Sequence, residues 1–371
     1  MKAECKKWLE KKLEELQALE SYHLERTNEN IAKQLGISPA EIVKLNYNEN
    51  LFMPKEKLVE LMREVAEECD LRIYPQEEEN KLREKISDYL KIPKDYVVVG
   101  NGSDELIDRI GRLFLEKGDK AVSVTPTFPI LRYCIKHQGA ECTAVPLLKN
   151  FGLDVPRLLD NFTSETKLLY LCSPNNPTAN QFKMNEIENL IEEFPGIVIV
   201  DEAYAEYADY SMVPLADEYE NLIILRTFSK AFGMAGLRLG YAVTNTALAK
   251  ILTEKTPLPF PVSVFTLNMG QKLLENLDIV KKAVEELKAE RGTLTKKLNK
   301  INGIEAFDSK TNFVLFNTDK PYEDVYQNLL RQGILVKKFG KILHLDNCLR
   351  TTVGLPKMNA KLLEALKEIF R

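Results

Sequence analysis

The sequence predicts an α/β fold in which a buried, mainly parallel sheet is covered by helices and followed by a smaller C-terminal domain. Three observations lead there. The 371 residues exceed the size at which one hydrophobic core keeps growing, so two domains are expected. From about residue 55, helical stretches alternate with short apolar runs, the order of a βαβ sheet. Those runs, at 96–99, 120–124, 167–171, 197–200, 222–225 and 239–243, are rich in valine, isoleucine and leucine, as strands covered on both faces must be.

Ahead of the sheet, residues 4–19 place Trp8, Leu9, Leu13, Leu16 and Leu19 at helical spacing between lysines and glutamates, which predicts an amphipathic helix whose role is packing. After about residue 245 the sequence is strongly helical through Arg291, with Pro257, Pro259 and Pro261 separating one helix from the next. Two weaker strands, 312–316 and 334–336, and a last helix, 359–370, complete the smaller domain. No Gly/Ser-rich linker marks a boundary, so the domains are expected to pack closely.

Composition excludes several functions. Charged residues of the two signs nearly balance, for a net charge of -4, which argues against nucleic acid as a partner. Six cysteines lie far apart without a CxxC pair and three histidines are equally scattered, so neither a metal site nor a disulfide framework is expected. The first twenty residues lack the apolar core of a signal peptide and no later stretch approaches membrane-spanning length, which predicts a cytoplasmic protein.

Four segments carry chemistry. Arg226-Thr227-Phe228-Ser229-Lys230 follows a predicted strand, with Arg238 eight residues past the lysine. This spacing places an amine nucleophile beside an anion site of Thr227, Ser229 and Arg238, although a Ser-Lys pair alone is ordinary turn chemistry. Asp201 ends the apolar run Ile197-Val198-Ile199-Val200, where ligands of open α/β sheets bind. There it would serve a cationic partner such as a protonated ring nitrogen, or equally cap a helix. Ser173-Pro174-Asn175-Asn176-Pro177-Thr178 turns sharply at the same edge and offers an amide donor. Finally, Gly100-Asn101-Gly102-Ser103-Asp104 runs from strand to helix and exposes backbone N–H groups at a helix N-terminus.

Joined in this order, the four segments resemble the fold-type I aminotransferases, which use pyridoxal 5′-phosphate (PLP). The resemblance implies an aspartate aminotransferase-like fold: a large PLP-binding domain (51–255) with a mainly parallel seven-stranded sheet between helices, and a smaller α+β domain from the two chain ends (1–50 as arm and part of the small domain, 256–371 as interdomain helix and small domain). It implies that Lys230 carries the cofactor as a Schiff base, Asp201 pairs with the ring nitrogen, and Asn176 and Tyr204 bond the phenolic oxygen. Phe128 would stack on the ring. Ser103, Asp104, Thr227, Ser229 and Arg238 would hold the phosphate. Lysine, Asp201 and Tyr204 form the expected catalytic set, and no metal is expected. One departure is Ala179, where the family usually has glycine after Asn-Pro-Thr; activity is expected to survive it.

Further segments, Leu45-Asn46-Tyr47-Asn48-Glu49-Asn50, Tyr74-Pro75 and Leu349-Arg350-Thr351-Thr352-Val353-Gly354, are similar to the histidinol-phosphate aminotransferase branch. That likeness implies transfer of the amine of histidinol phosphate to 2-oxoglutarate, in histidine biosynthesis. It also implies a homodimer in which Tyr74 reaches the neighbouring subunit's cofactor phosphate. Arg350 is the leading substrate anchor, because a planar guanidinium grips phosphate or carboxylate alike. Tyr22 and Asn312 are further candidates for the pocket, and Lys337 stands where many relatives have arginine, keeping the charge but losing the fork. An aromatic amino-acid aminotransferase and a threonine-phosphate decarboxylase share the cofactor residues and stay open as alternatives. A PLP-binding transcription regulator is disfavoured, since no basic face is present to meet DNA.

Overall fold

The computed structural model describes residues 2–20, 27–255 and 258–371. Tyr22 and Pro257 lie outside the described residues.

Along the chain, helix α1 (Lys2–Gln17) is followed by α2 (Asn28–Leu35), which Thr27 caps by accepting from the Asn30 N–H. Strand β1 (Val43–Lys44) then leads to α3 (Lys55–Glu68) and α4 (Glu78–Leu90). The large sheet is built from β2 (Val97–Gly100), β3 (Lys120–Thr125), β4 (Glu141–Pro146), β5 (Thr166–Cys172), β6 (Ile197–Asp201), β7 (Leu222–Thr227) and β8 (Gly240–Thr244). Between them run α5 (Ser103–Phe114), α6 (Ile130–Lys136), α7 (Val155–Leu159) and α8 (Met184–Glu193). Helices α9 (Thr246–Glu254), α10 (Val264–Glu275) and α11 (Leu277–Leu298) lead to the second sheet: β9 (Ile304–Ala306), β10 (Phe313–Thr318), α12 (Tyr322–Arg331), β11 (Ile334–Leu335), β12 (Lys337–Ile342), β13 (Leu345–Thr352) and α13 (Pro356–Ile369).

The seven strands lie in the order β2-β8-β7-β6-β5-β3-β4, parallel except where β8 runs against both neighbours. This is the mainly parallel seven-stranded sheet expected. Alternate side chains feed two cores. Leu169, Leu171, Val198 and Val200 join α4, α8 and α10 on one face, while Leu168, Tyr170, Cys172 and Ile199 join α5, α6 and α9 on the other. The six strands read from apolar runs are all present, within a residue or two. The seventh, β4, carries Glu-Cys-Thr-Ala at a sheet edge and is only partly buried, so it lacks the apolar run that marks its neighbours.

The smaller sheet, β12-β13-β10-β9, is antiparallel, and β1 pairs in parallel with β11, so the segment before the large sheet is tied to the end of the chain. Strand β12 went unread because Lys337-Lys338-Phe339-Gly340-Lys341 is polar on its outer face and bulged at Gly340, and β13 because Asp346, Asn347, Arg350, Thr351 and Thr352 interrupt its apolar pattern. One expectation is corrected. Helix α1 forms as its periodicity requires, but within this chain it is not a packing element: Trp8 is 65 % exposed, and Leu9, Leu13 and Leu16 are also exposed.

Candidate functional site

Strands β5, β6 and β7 run in parallel and end together, so Cys172, Asp201 and the Thr227–Lys230 turn arrive at one edge of the sheet. The N-terminus of α5 closes that edge from one side. Strands β12 and β13 and the Asn46–Asn48 segment close it from the other. Between them lies a cavity of about 350 Å³ whose walls include Ser103, Asp104, Phe128, Asn176, Asp201, Tyr204, Thr227, Ser229, Lys230, Arg238, Lys337 and Arg350.

Asp201 is buried at the end of β6. Its Oδ2 accepts from the Tyr170 hydroxyl at 2.7 Å and its Oδ1 from the Ala203 N–H at 3.0 Å. Burial pushes the carboxyl up to about 6, against the pull of these two donors. The Nζ of Lys230 lies 3.5 Å from the Tyr47 carbonyl oxygen and 5.8 Å above the Tyr204 ring. Desolvation, and next the charge of Arg350, pull its ammonium down to about 8, although Asp104 and Glu49 oppose them. Both ionised forms are therefore held at a cost that a ligand of matching charge would relieve.

An anion cradle forms beside them. The Arg238 guanidinium donates to Ser229 Oγ at 3.3 Å and to Asp104 Oδ2 at 3.1 Å, and the Ser229 N–H donates to Thr227 Oγ1 at 3.1 Å. Two glycines make this approach possible. Gly102, at φ 86°, precedes α5, and a Cβ there would lie 2.9 Å from the Arg238 guanidinium. At Gly240 a Cβ would meet the Ser103 nitrogen at 2.5 Å, so glycine lets β8 press against the helix terminus that presents its N–H groups.

The opposite wall is cationic and aromatic. Arg350 donates to the Asn46 carbonyl at 2.9 Å and to Asn176 Oδ1, with its guanidinium 4.8 Å from the Phe313 ring centre and 5.5 Å from that of Phe339. Lys337 sits directly opposite Arg350 across the β12–β13 pair, so two cations stand side by side. Tyr204 is buried edge-on to Phe313 at 5.3 Å, and its oxygen accepts from Asn48 Nδ2 at 2.9 Å. Burial raises this phenol well above its usual range, so it stays protonated and its O–H remains a donor.

Two expected residues lie elsewhere. Asn312 is not in the cavity wall but one layer behind it, donating to the Asn48 carbonyl at 2.8 Å. Tyr74 is 73 % exposed, stacked on Phe260 at 5.1 Å and outside the cavity. Tyr22 lies outside the described residues. Sequence reasoning missed Tyr170, Asn48, Phe339 and Asn175. Asn175 ties the two loops of the site together, donating to the Pro126 carbonyl at 3.0 Å and accepting from Thr127 at 2.7 Å. For Tyr170 a signal existed: a hydroxyl inside the buried apolar run 168–172 is costly to leave unbonded.

The donor set fits pyridoxal 5′-phosphate. A ring nitrogen that carries a proton would relieve the buried Asp201, a phosphate would occupy the Arg238–Ser229 cradle, and an aldehyde carbon would meet the Lys230 amine, which burial makes partly neutral near pH 7. Among the described residues no group of three or more His, Cys, Asp or Glu could hold a metal ion.

A family model described as aminotransferase class I and II matches residues 40–366. The chain is 37% identical over 328 residues to a histidinol-phosphate aminotransferase of Caldanaerobacter subterraneus subsp. tengcongensis, covering 88% of this chain and 93% of that one. It is 37% identical over 329 residues to histidinol-phosphate aminotransferase 1 of Archaeoglobus fulgidus, covering 89% and 99%. In fold it is similar to the crystal structure of histidinol-phosphate aminotransferase from Sinorhizobium meliloti in complex with pyridoxal 5′-phosphate, with a TM-score of 0.85 at 24% identity over 94% of this chain and 95% of that one.

Proposed function

The chain belongs to the class I and II aminotransferases, and on that premise we propose that it is a PLP-dependent transaminase that takes the amine of histidinol phosphate and passes it to 2-oxoglutarate, giving imidazole acetol phosphate and glutamate. The observation that carries this reading is the convergence, in one cavity, of the Lys230 amine, the Asp201 carboxyl, an anion cradle and a wall bearing both Arg350 and Lys337. Relatives of the same name over most of the chain supply the substrate.

When bound, the cofactor supplies the electron sink that stabilises charge at the substrate Cα as its proton leaves. The protein does the rest. Asp201 would face the ring nitrogen and favour its protonated form. Arg238, Ser229, Thr227, Ser103 and the N-terminus of α5 hold the phosphate, with Asp104 keeping the Arg238 fork in place. Tyr204 and Asn176 donate to the phenolic oxygen: Asn48 occupies one lone pair of the Tyr204 oxygen, and Arg350 occupies Asn176 Oδ1, which leaves the Tyr204 O–H and the Asn176 amide N–H groups for that task. Phe128, in the cavity wall, would cover a ring face.

Lys230 would tether the cofactor and, once freed, would take the Cα proton on Nζ and deliver it to the C4′ position of the cofactor. Its ammonium, pulled down to about 8, leaves a working fraction of neutral amine near neutral pH, which a solvated lysine would not. The paired cations Arg350 and Lys337 meet the phosphate of the first substrate and a carboxylate of the second. Asn312 supports the site from behind by fixing Asn48.

The reading includes a cytoplasmic homodimer in which the exposed Tyr74 reaches the cofactor phosphate of the neighbouring subunit. Among the described residues no helix is long and apolar enough to cross a membrane.

A donor screen tests the substrate. Histidinol phosphate, tyrosine and threonine phosphate are added separately to the holoenzyme, and conversion to the pyridoxamine form is followed by absorbance. Reaction with histidinol phosphate is expected. Reaction with tyrosine alone, or carbon dioxide release from threonine phosphate, would reject it. Loss of the bound-cofactor absorbance in Lys230→Ala is the companion test of the tether.

A further inference from the structure

We infer that Tyr170 is a positioning residue: from the layer just inside the cavity wall, its hydroxyl orients Asp201 and keeps that carboxylate charged toward the cofactor's ring nitrogen. This rests on the PLP reading above and goes one step behind it.

Alternation along β5 and β6 puts Tyr170, Cys172, Ile199 and Asp201 on one face of the sheet. Tyr170 is wholly buried, and its ring packs in the apolar cluster beneath α5. Phenylalanine would fill that space equally, so packing does not call for the hydroxyl. What the hydroxyl does is donate to Asp201 Oδ2 at 2.7 Å, while the Ala203 N–H holds Oδ1. With one lone pair of each oxygen fixed from the protein side, the plane of the carboxylate is set.

Contrast sharpens the point. Tyr207 and Tyr241 are equally buried, yet their hydroxyls have no hydrogen-bond partner among the described residues. They serve as internal controls for the loss of a buried phenol. Burial also drives the Tyr170 phenol far above its ordinary range, so it stays protonated and keeps the proton that it donates to the carboxylate. The other groups around Asp201 do not substitute for it. Asp104 from α5 works against its charge, Lys230 after β7 works for it, and Cys172 and Tyr204 are held neutral by burial.

The test compares Tyr170→Phe with Tyr207→Phe, each alone and combined with Asp201→Asn. The readout is the affinity of the cofactor-free full-length protein for pyridoxamine 5′-phosphate, which occupies the site without a bond to Lys230. A hydrogen bond to a charged group predicts that Tyr170→Phe weakens binding about 10- to 100-fold. Binding should also begin to fail at a higher pH as the solution is acidified, because a carboxylate without its donor protonates sooner. Tyr207→Phe should bind within about twofold of the unaltered protein, and Tyr170→Phe should cost much less once Asp201 is asparagine, because the charge that the hydroxyl supports is gone. Equal behaviour of the two phenylalanine variants, or a full loss in the asparagine background, would overturn the inference while leaving the PLP reading intact. If the unaltered protein does not bind pyridoxamine 5′-phosphate, the PLP reading fails and the inference fails with it.

Discussion

Asp201 gives the most direct measure of how the cavity is strained toward its ligand. Its carboxyl stands at about 6 in the folded chain against an ordinary 3.8. At 1.36 kcal/mol for each tenfold change, the ionised form costs the fold roughly 3 kcal/mol. The sign follows from linkage. A carboxyl whose folded value is raised adds stability that is fully present below 3.8 and lost as pH rises through about 6, so the penalty is complete at neutral pH. Asp201→Asn keeps the shape and can still bond Tyr170. It should therefore stabilise the cofactor-free protein by about 2–3 kcal/mol at pH 7.5 and about half as much at pH 5. Urea unfolding of both proteins at the two pH values measures this, and PLP should reverse the order by stabilising only the aspartate form strongly. An asparagine variant no more stable than its parent at pH 7.5, or a difference that grows on acidification, would refute the argument.

Other expected outcomes follow from the same geometry. Arg350→Ala should raise KM for the phosphorylated donor at least tenfold, because no other side chain at that position on the wall offers a fork to an oxyanion; steady-state kinetics with each substrate varied in turn checks this. Lys337→Arg, beside it on β12, should lower the same KM several-fold. Arg226 bridges Glu202 at 2.9 Å and Glu206 at 3.1 Å in a buried cluster between β6 and β7, so Arg226→Met strands two carboxylates and should cost about 3–5 kcal/mol in denaturant unfolding. Ala179 has φ 65° and is fully buried, the conformation in which glycine is unstrained. Ala179→Gly should leave kcat/KM within about threefold, its relief of backbone strain offset by lost methyl burial, whereas the branched Ala179→Val should lower stability by about 2 kcal/mol or more.

The legible parts of the fold share a physical cause. A strand buried on both faces must be apolar throughout, which made six strands of the large sheet visible, and the residues at their ends followed: Asp201 after β6, Lys230 after β7, Ser103 and Asp104 after β2. Strands with a wet face gave no such run, and β4 and β12 passed unread; β13 is buried over 348–352 but carries Asp346, Asn347, Arg350 and two threonines in place of an apolar run. Side chains that act by supporting others were equally silent. Nothing near Asn312 in sequence says that it holds Asn48, 264 residues away, and nothing near Tyr170 says that its hydroxyl ends on Asp201.

By itself, then, the sequence determined which strands are buried and which chemical groups sit at their ends, because both are local consequences of pattern and spacing. It could not determine their environment. That burial pushes Asp201 up to about 6 and pulls Lys230 down to about 8, and that Arg350 lies against two aromatic rings beside Lys337, follow from packing. Desolvation and the field of neighbouring charges depend on segments that only the folded chain brings together, so the tertiary structure alone turned a set of ordinary side chains into a reactive cavity.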